Sequence, residues 1–343
     1  MTKWKDDLIL QSRRTLKKAI HKTLSREFIL NRCRRRNSLN KIVVLTYHEI
    51  ANDDDEIEAW TVVKKTSFIR QMEYLSSYFE VISLEEAIFR MENSKQIIRP
   101  TAVVTFDDGY RGNRRILLPV IKSMNIPVTI FISTRAVQDQ CLYWYDRLIS
   151  AIQGKRVINI NLKHHLLGNY RINRYKGAEN WREIERLLRE LKGLDPPFRE
   201  NVVNELIENL NISEKEHSYN IAPLSIAELG ELASSPLITI GAHSHCHNIL
   251  TQLSNNDAKE SIEISKELLE SWINCRVDYF SYPNGNYNDS IIGTLKEIGF
   301  KCGMTIAGGL WGRDDPLFEI PRIRIGRYDS LDFFKINVSG VFN

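Results

Sequence analysis

Seven short runs rich in β-branched and aromatic residues recur along the chain: KIVVLTY at 41–47, TAVVTF at 101–106, PVTIFIS at 127–133, LITIGA at 237–242, DYFSY at 278–282, KCGMTIA at 301–307 and RIRIG at 322–326. Amphipathic stretches separate several of them. Phe68, Met72 and Leu75 share a helical face, SLEEAIFRMEN opens with a serine cap and first-turn glutamates, and 112–124, 255–273 and 288–298 continue the pattern. Strands that alternate with such helices are covered on both faces, so they assemble as a parallel sheet, open or closed into a barrel. The expected class is α/β.

One segment departs from the alternation. Residues 141–225 are polar, and ENWREIERLLRELKGL and PFRENVVNELIENL predict helices on either side of a DPP break. A connection of roughly 85 residues far exceeds the two to six usual in an α/β unit. It reads as a mostly helical subdomain or lid inserted into a barrel domain spanning 39–343.

Net charge is +4 over 343 residues, but it is unevenly placed. Residues 1–36 hold twelve Lys/Arg against three Asp/Glu, and the remainder holds 35 against 40. A mildly acidic body excludes a nucleic-acid binder, whose basic footprint belongs on the folded domain. The tail 1–38 predicts a basic amphipathic helix with Leu16, Ile20, Leu24 and Phe28 on one face. It either packs on the domain or meets an anionic membrane surface, where each basic residue contributes about 1 kcal/mol. The first residues contain only a three-residue apolar run, against about 7–15 in a secretory leader. The expected location is cytoplasmic, at the inner membrane face if the tail binds lipid. Five scattered cysteines with no CxxC pair are expected as free thiols.

The chemistry-bearing residues fall where the strands end. VVTFDDGY carries Asp107 and Asp108 out of one strand into a glycine turn. Alone, such a turn fits a surface loop. GAHSHCHNIL places three of eight histidines within five residues, directly after another strand. An extended chain would put His243, His245 and His247 on one face. A coiled one brings His243 and His247 together and turns His245 away, which is the preferred reading. One carboxylate and two imidazoles make a three-ligand site with open positions, the arrangement of a catalytic metal. The second carboxylate then has a separate task as a base. TYHEI ends the first strand with His48, and FSYPNGNYN breaks into a turn whose backbone could donate to an oxyanion near Asn284.

TFDDG, HSHCH and YPNG together resemble three motifs of the polysaccharide deacetylase family (carbohydrate esterase family 4, the NodB homology domain), over about 41–132 and 236–326. The resemblance implies a distorted (β/α)7 barrel and metal-dependent removal of an N-acetyl group. By motif position, Asp107 is the general base, Asp108, His243 and His247 hold the metal, and Tyr282, Pro283 and Asn284 form the oxyanion side. The metal is expected to be Zn2+, with Co2+, Ni2+ or Mn2+ also compatible with the donors. Two departures stand out. Ser281 occupies the place of the family's base-orienting arginine, for which Arg322 or Arg324 would have to substitute, and no histidine follows His247. The sequence is similar to the poly-N-acetylglucosamine deacetylase branch with circularly shifted motifs, in which the YH near the N-terminus supplies the acid; His48 inherits that role. The expected partner is an N-acetylated saccharide, lipid-linked or nucleotide-linked if the enzyme works inside the cell. The rivals are the same chemistry on a formamido sugar or small amide, a non-catalytic carbohydrate-binding protein, and a membrane scaffold acting through the tail.

Overall fold

A computed structural model describes residues 20–37, 40–55, 59–93, 97–153, 157–173, 178–210 and 221–341. Its central sheet contains β1 (Lys41–Tyr47), β2 (Glu80–Val81), β3 (Thr101–Phe106), β4 (Val128–Ile132), β5 (Ile238–Ala242), β6 (Tyr279–Ser281), β7 (Cys302–Met304), β8 (Trp311–Gly312) and β9 (Ile323–Arg324). The order is β7-β6-β5-β4-β3-β1-β8, with β9 also on β1 and β2 on β3. Every pairing is parallel except β1 with β8.

The sheet curls until its edges approach, and residues 320–325 span the gap. Thr305 N–H donates to the Ile320 carbonyl at 2.9 Å and Ile320 N–H to Gly303 at 3.0 Å. A few residues on, Ile325 N–H donates to Thr46 at 3.0 Å. With the two-residue β2 a side branch on β3, the parallel staves are β1, β3, β4, β5, β6, β7 and β9, seven in all, matching the expected distorted (β/α)7 barrel. β3 is buried at all six positions, which explains why it carries no charged or strongly polar residue. Because the staves are parallel, every carboxyl end opens at one mouth. His48, Asp107, Asp108, His243 and Asn284 all follow such ends.

The tail differs from its sequence pattern. Residues 1–19, including Leu16, lie outside the described residues. In α1 (Glu27–Asn37) the buried positions are Leu30 and Arg34, whereas Phe28 is 79% exposed. Arg34 hydrogen-bonds the Tyr74 hydroxyl and Glu27 and stacks over Tyr78 at 4.3 Å. A guanidinium with aromatic and carboxylate partners can be buried, and here it anchors the helix beside Leu30, while of the expected apolar face Leu24 packs against the core and Ile20 and Phe28 are exposed. In α2 (Lys65–Tyr78), Phe68, Met72 and Leu75 are buried as their spacing predicts.

The 141–225 segment has a core of its own. α3 (Trp144–Gln153), α4 (Ala178–Lys192) and α5 (Pro196–Asn209) surround Ile149, Leu187 and Val203. An antiparallel hairpin, Val157–Asn161 with Asn169–Asn173, joins them through Ile158, Ile160, Tyr170 and Ile172. The expectation of a mostly helical segment overlooked this hairpin. Its signal was present, since VININ and NYRIN alternate apolar and polar residues with the strand period of two.

Candidate active site

After β3 the chain turns through two consecutive left-handed residues, Asp108 at φ 76° and Gly109 at φ 81°. The positive φ favours glycine there, and a Cβ on Gly109 would lie 2.9 Å from Ile132 Cδ1, so that side chain would have to shift. The turn leaves both carboxylates buried at the barrel mouth, Asp107 at 3% exposure and Asp108 at 2%.

The two acids then take different partners. Arg322 Nη1 donates to Asp107 Oδ1 at 2.8 Å and Nη2 to Oδ2 at 2.7 Å, a bidentate pair with Arg322 fully buried. Ser281 fits inside this network, accepting from Arg322 Nη2 at 2.9 Å and donating to Asp107 Oδ2 at 3.3 Å. Arg322, rather than Arg324, therefore reaches the carboxylate that the residue at 281 leaves without an arginine. Burial alone would raise the Asp107 pKa, but Arg322, with His243 and His48, holds it below the ordinary carboxylate value.

Asp108 faces the histidines. After β5, Ser244 (φ 62°) and His247 (φ 55°) coil the chain back on itself. His243 Nε2 comes to 3.4 Å and His247 Nε2 to 3.1 Å from Asp108 Oδ1. His245 turns away, with its Nδ1 2.8 Å from the Thr134 hydroxyl. His243 Nδ1 donates to the Ser281 carbonyl at 2.7 Å, which directs the Nε2 lone pair of the neutral ring at Asp108. Asp108 Oδ1 is buried with no hydrogen-bond partner. A carboxylate oxygen facing two imidazole nitrogens is an acceptor cluster that a cation satisfies, so these residues fit a divalent metal. With protons alone, burial would lower the His243 pKa, but Asp107 and Asp108 raise it above its ordinary value; a metal ion would take that proton's place.

His48 is half-buried at the same mouth, edge-on to Trp60 with ring centroids 6.0 Å apart. Its Nδ1 is buried without a hydrogen-bond partner. Burial lowers its pKa, against the opposing pull of Asp108 and Asp107. On the expected oxyanion side, Tyr282 is corrected to a wall residue. Its N–H donates to Met304 at 3.1 Å and its hydroxyl to the Phe318 carbonyl at 2.9 Å, so neither is free for an oxyanion. Pro283 has no N–H, and Asn284 adopts φ 57° at the turn. Arg324, the other arginine weighed for Asp107, lies over Trp60 at 5.8 Å.

The family profile described as polysaccharide deacetylase matches residues 95–194 and 206–303. The chain belongs to the polysaccharide deacetylase family. As a family member it is a carbohydrate N-deacetylase, a hydrolase. The matched residues contain Asp107, Asp108, His243, His247 and Asn284, enter the 141–225 segment, and stop short of His48 and Arg322. YxkH of Bacillus subtilis (strain 168), named as a polysaccharide deacetylase, is 21% identical over 286 residues, 83% of this chain and 71% of its own. Among solved structures, the Streptococcus pyogenes deacetylase PplD covers 87% of this chain and 98% of its own at TM-score 0.58 and 17% identity. IcaB from Ammonifex degensii covers 88% and 98% at TM-score 0.53 and 15% identity. At these identities the structural likeness shows the fold.

Around these groups lie residues that no sequence motif indicated. Tyr145 donates to Asp108 Oδ2 at 3.1 Å and Tyr143 to the Asp108 carbonyl at 2.6 Å. Both rings lie against His247, at 4.9 Å for Tyr143 and 5.6 Å for Tyr145. Trp60 flanks His48, and Lys192 at the end of α4 donates to Asn284 Oδ1 at 2.9 Å. All four lie on loops or on the 141–225 segment, where apolar periodicity carries no information about a distant site.

Proposed function

We propose that the protein hydrolyses the acetamide of an N-acetylated sugar in an oligosaccharide or glycan precursor. Asp108, His243 and His247 would hold the divalent cation, and their one-carboxylate, two-imidazole set suits Zn2+. The observation that carries the reading is the division of labour between adjacent acids: Asp108 faces two imidazoles while Asp107, beside it, is held by Arg322. When bound, the cation would polarise the acetyl carbonyl and acidify a neighbouring water.

The chain's own groups do the rest. The Arg322 clamp keeps Asp107 ionised and in one orientation, so that it can take a proton from the attacking water. The same guanidinium lowers its basicity, and the preset geometry offsets that loss. The Asn284 N–H is the backbone donor for the developing oxyanion, since Pro283 has none and Tyr282 is already engaged. His48, whose burial makes the imidazolium a readier donor, protonates the departing amine. The products are the free amino sugar and acetate.

The test is an acetate-release screen on N-acetylglucosamine oligomers, with formylated sugars in parallel, with and without chelator. The wild type is expected to release acetate only with metal. Asp107→Asn should lose about a hundredfold or more in kcat while retaining its metal. Near-normal release by that variant would remove Asp107 as the base, and formate as the preferred product would change the substrate class.

A further inference from the structure

Asp107 is neutralised by Arg322, and a divalent cation would more than neutralise Asp108. The mouth nevertheless carries further positive charge. α4 ends at Lys192, which is half-buried and donates to Asn284 Oδ1 at 2.9 Å, within the field of the carboxylates Asp108 and Glu185 and of the cations Arg324 and Arg199. Its carbonyl accepts from Gln252 Nε2 at 2.9 Å, fixing the helix end against the barrel. Arg322 and Arg324 are two residues apart on an extended stave and so share a face. Arg322 points at Asp107, and Arg324 lies one step closer to the mouth.

Arg324 is exposed and lies over Trp60, whose ring is edge-on to His48. Trp60, Arg322 and Arg324 line a cavity of 480 Å³, within the range of small-ligand sites, and Lys192 approaches from outside that lining. Asp329 shares that wall, and its carboxylate accepts the Gly326 N–H at 2.8 Å. Neither Lys192 nor Arg324 has a carboxylate in ion-pair contact among the described residues. A neutral N-acetyl sugar would leave both cations without a direct ion-pair partner among the described residues.

Building on the deacetylase reading, we infer that Lys192 and Arg324 form an anion subsite, and that the substrate is an N-acetylated sugar bearing a phosphate or carboxylate near its acetamido group. The sugar face stacks on Trp60 while the anion lies between the helix end and the closing stave. The 141–225 segment thereby supplies a specificity residue to a site whose chemistry belongs to the barrel.

The experiment compares N-acetylglucosamine 1-phosphate, an N-acetylhexosamine–hexuronate disaccharide and the neutral methyl glycoside of N-acetylglucosamine. It measures kcat/KM for each, and affinity for each by calorimetry, in wild type, Lys192→Gln, Lys192→Arg and Arg324→Gln. One of the anionic sugars should be preferred over the neutral one, and the phosphate and uronate arms say which anion it is. In each Gln variant the charged-to-neutral ratio should fall about tenfold, Lys192→Arg should restore it, and added salt should erode it. If Lys192 merely latched the Asn284 turn, all sugars would suffer alike and the ratio would not move, which overturns the subsite. Absence of turnover on every N-acetyl sugar would overturn the deacetylase reading instead. Calorimetry then decides the subsite separately: a preference for the anion that Lys192→Gln removes supports it, and equal affinities overturn it.

Discussion

Arg322 and Asp107 are 215 positions apart and form a buried two-point ion pair. The serine at 281, which looks like a lost arginine in the linear motif, is part of the same network and hydrogen-bonds both partners. The guanidinium reaches the same acid from the closing stave instead. Its other donors go to Thr305 O at 2.8 Å and Thr105 Oγ1 at 3.1 Å, so its whole fork is satisfied. Lysine keeps the charge but cannot make the two-point contact. Arg322→Lys is therefore expected to lower kcat about a hundredfold with metal content unchanged, measured by steady-state kinetics beside metal analysis. Arg322→Met leaves a buried carboxylate without a counter-ion and should cost about 3–5 kcal/mol in denaturant unfolding. Wild-type kcat in the lysine variant would show that Asp107 needs the charge alone.

At the scale of elements, the site is built by strand ends and tuned by the start of α3. Tyr143 immediately precedes that helix and Tyr145 lies in its first turn, and both hydroxyls reach Asp108. Tyr145 engages Oδ2, which leaves Oδ1 for the histidines. Partners of this kind orient a ligand and typically change metal affinity by about 10–100-fold when removed. Tyr145→Phe is expected to weaken metal binding by at least about tenfold in a chelator competition, with the fold intact by circular dichroism. Unchanged affinity would mean that the backbone turn at Asp108 and Gly109 suffices to aim the carboxylate. The strands and the helices at 65–78 and 255–273 were legible because burial on one face imposes a period. The hairpin within 141–225 showed its period of two only over five residues per strand, and helical patterns on both sides masked it.

The molecule has one large core between the sheet and its surrounding helices, a smaller one on the opposite face of the strands, and one centred on the 141–225 segment, which buried polar contacts couple to the barrel. Tyr110, just after the site turn, donates to Asp146 on α3 at 2.8 Å, and Asp146 is fully buried. Burial lifts the Asp146 pKa well above its ordinary value, against the Tyr110 hydrogen bond. Above about pH 3.9 the unfolded chain releases this proton while the folded protein keeps it, so the folded state binds more protons. Stability from this group is therefore complete at low pH and is lost as pH rises towards the folded pKa. Glu49, raised by burial in the same way, contributes with the same sign. Asp146→Asn should flatten the decline in melting temperature as pH rises above about 4, leaving the part due to Glu49. An identical pH slope in the variant would show that Asp146 is ionised in the folded protein.

The amino-acid sequence alone determined the parallel α/β class and the strand ends at which Asp107, Asp108, His243, His247 and His48 stand. Those properties are local: a buried strand needs its apolar run, and a site at its end needs only the next few residues. The preferred coiling of the histidine segment was also local, set by left-handed residues at 244 and 247. Tertiary structure alone decided what each group meets. Arg322 rather than Arg324 reaches Asp107, Tyr282 becomes wall, Arg34 is buried beside Leu30, and Tyr145 and Lys192 arrive from the 141–225 segment. Such contacts join residues tens to hundreds of positions apart, and they exist only once the barrel has closed and brought its staves and the 141–225 segment to one mouth.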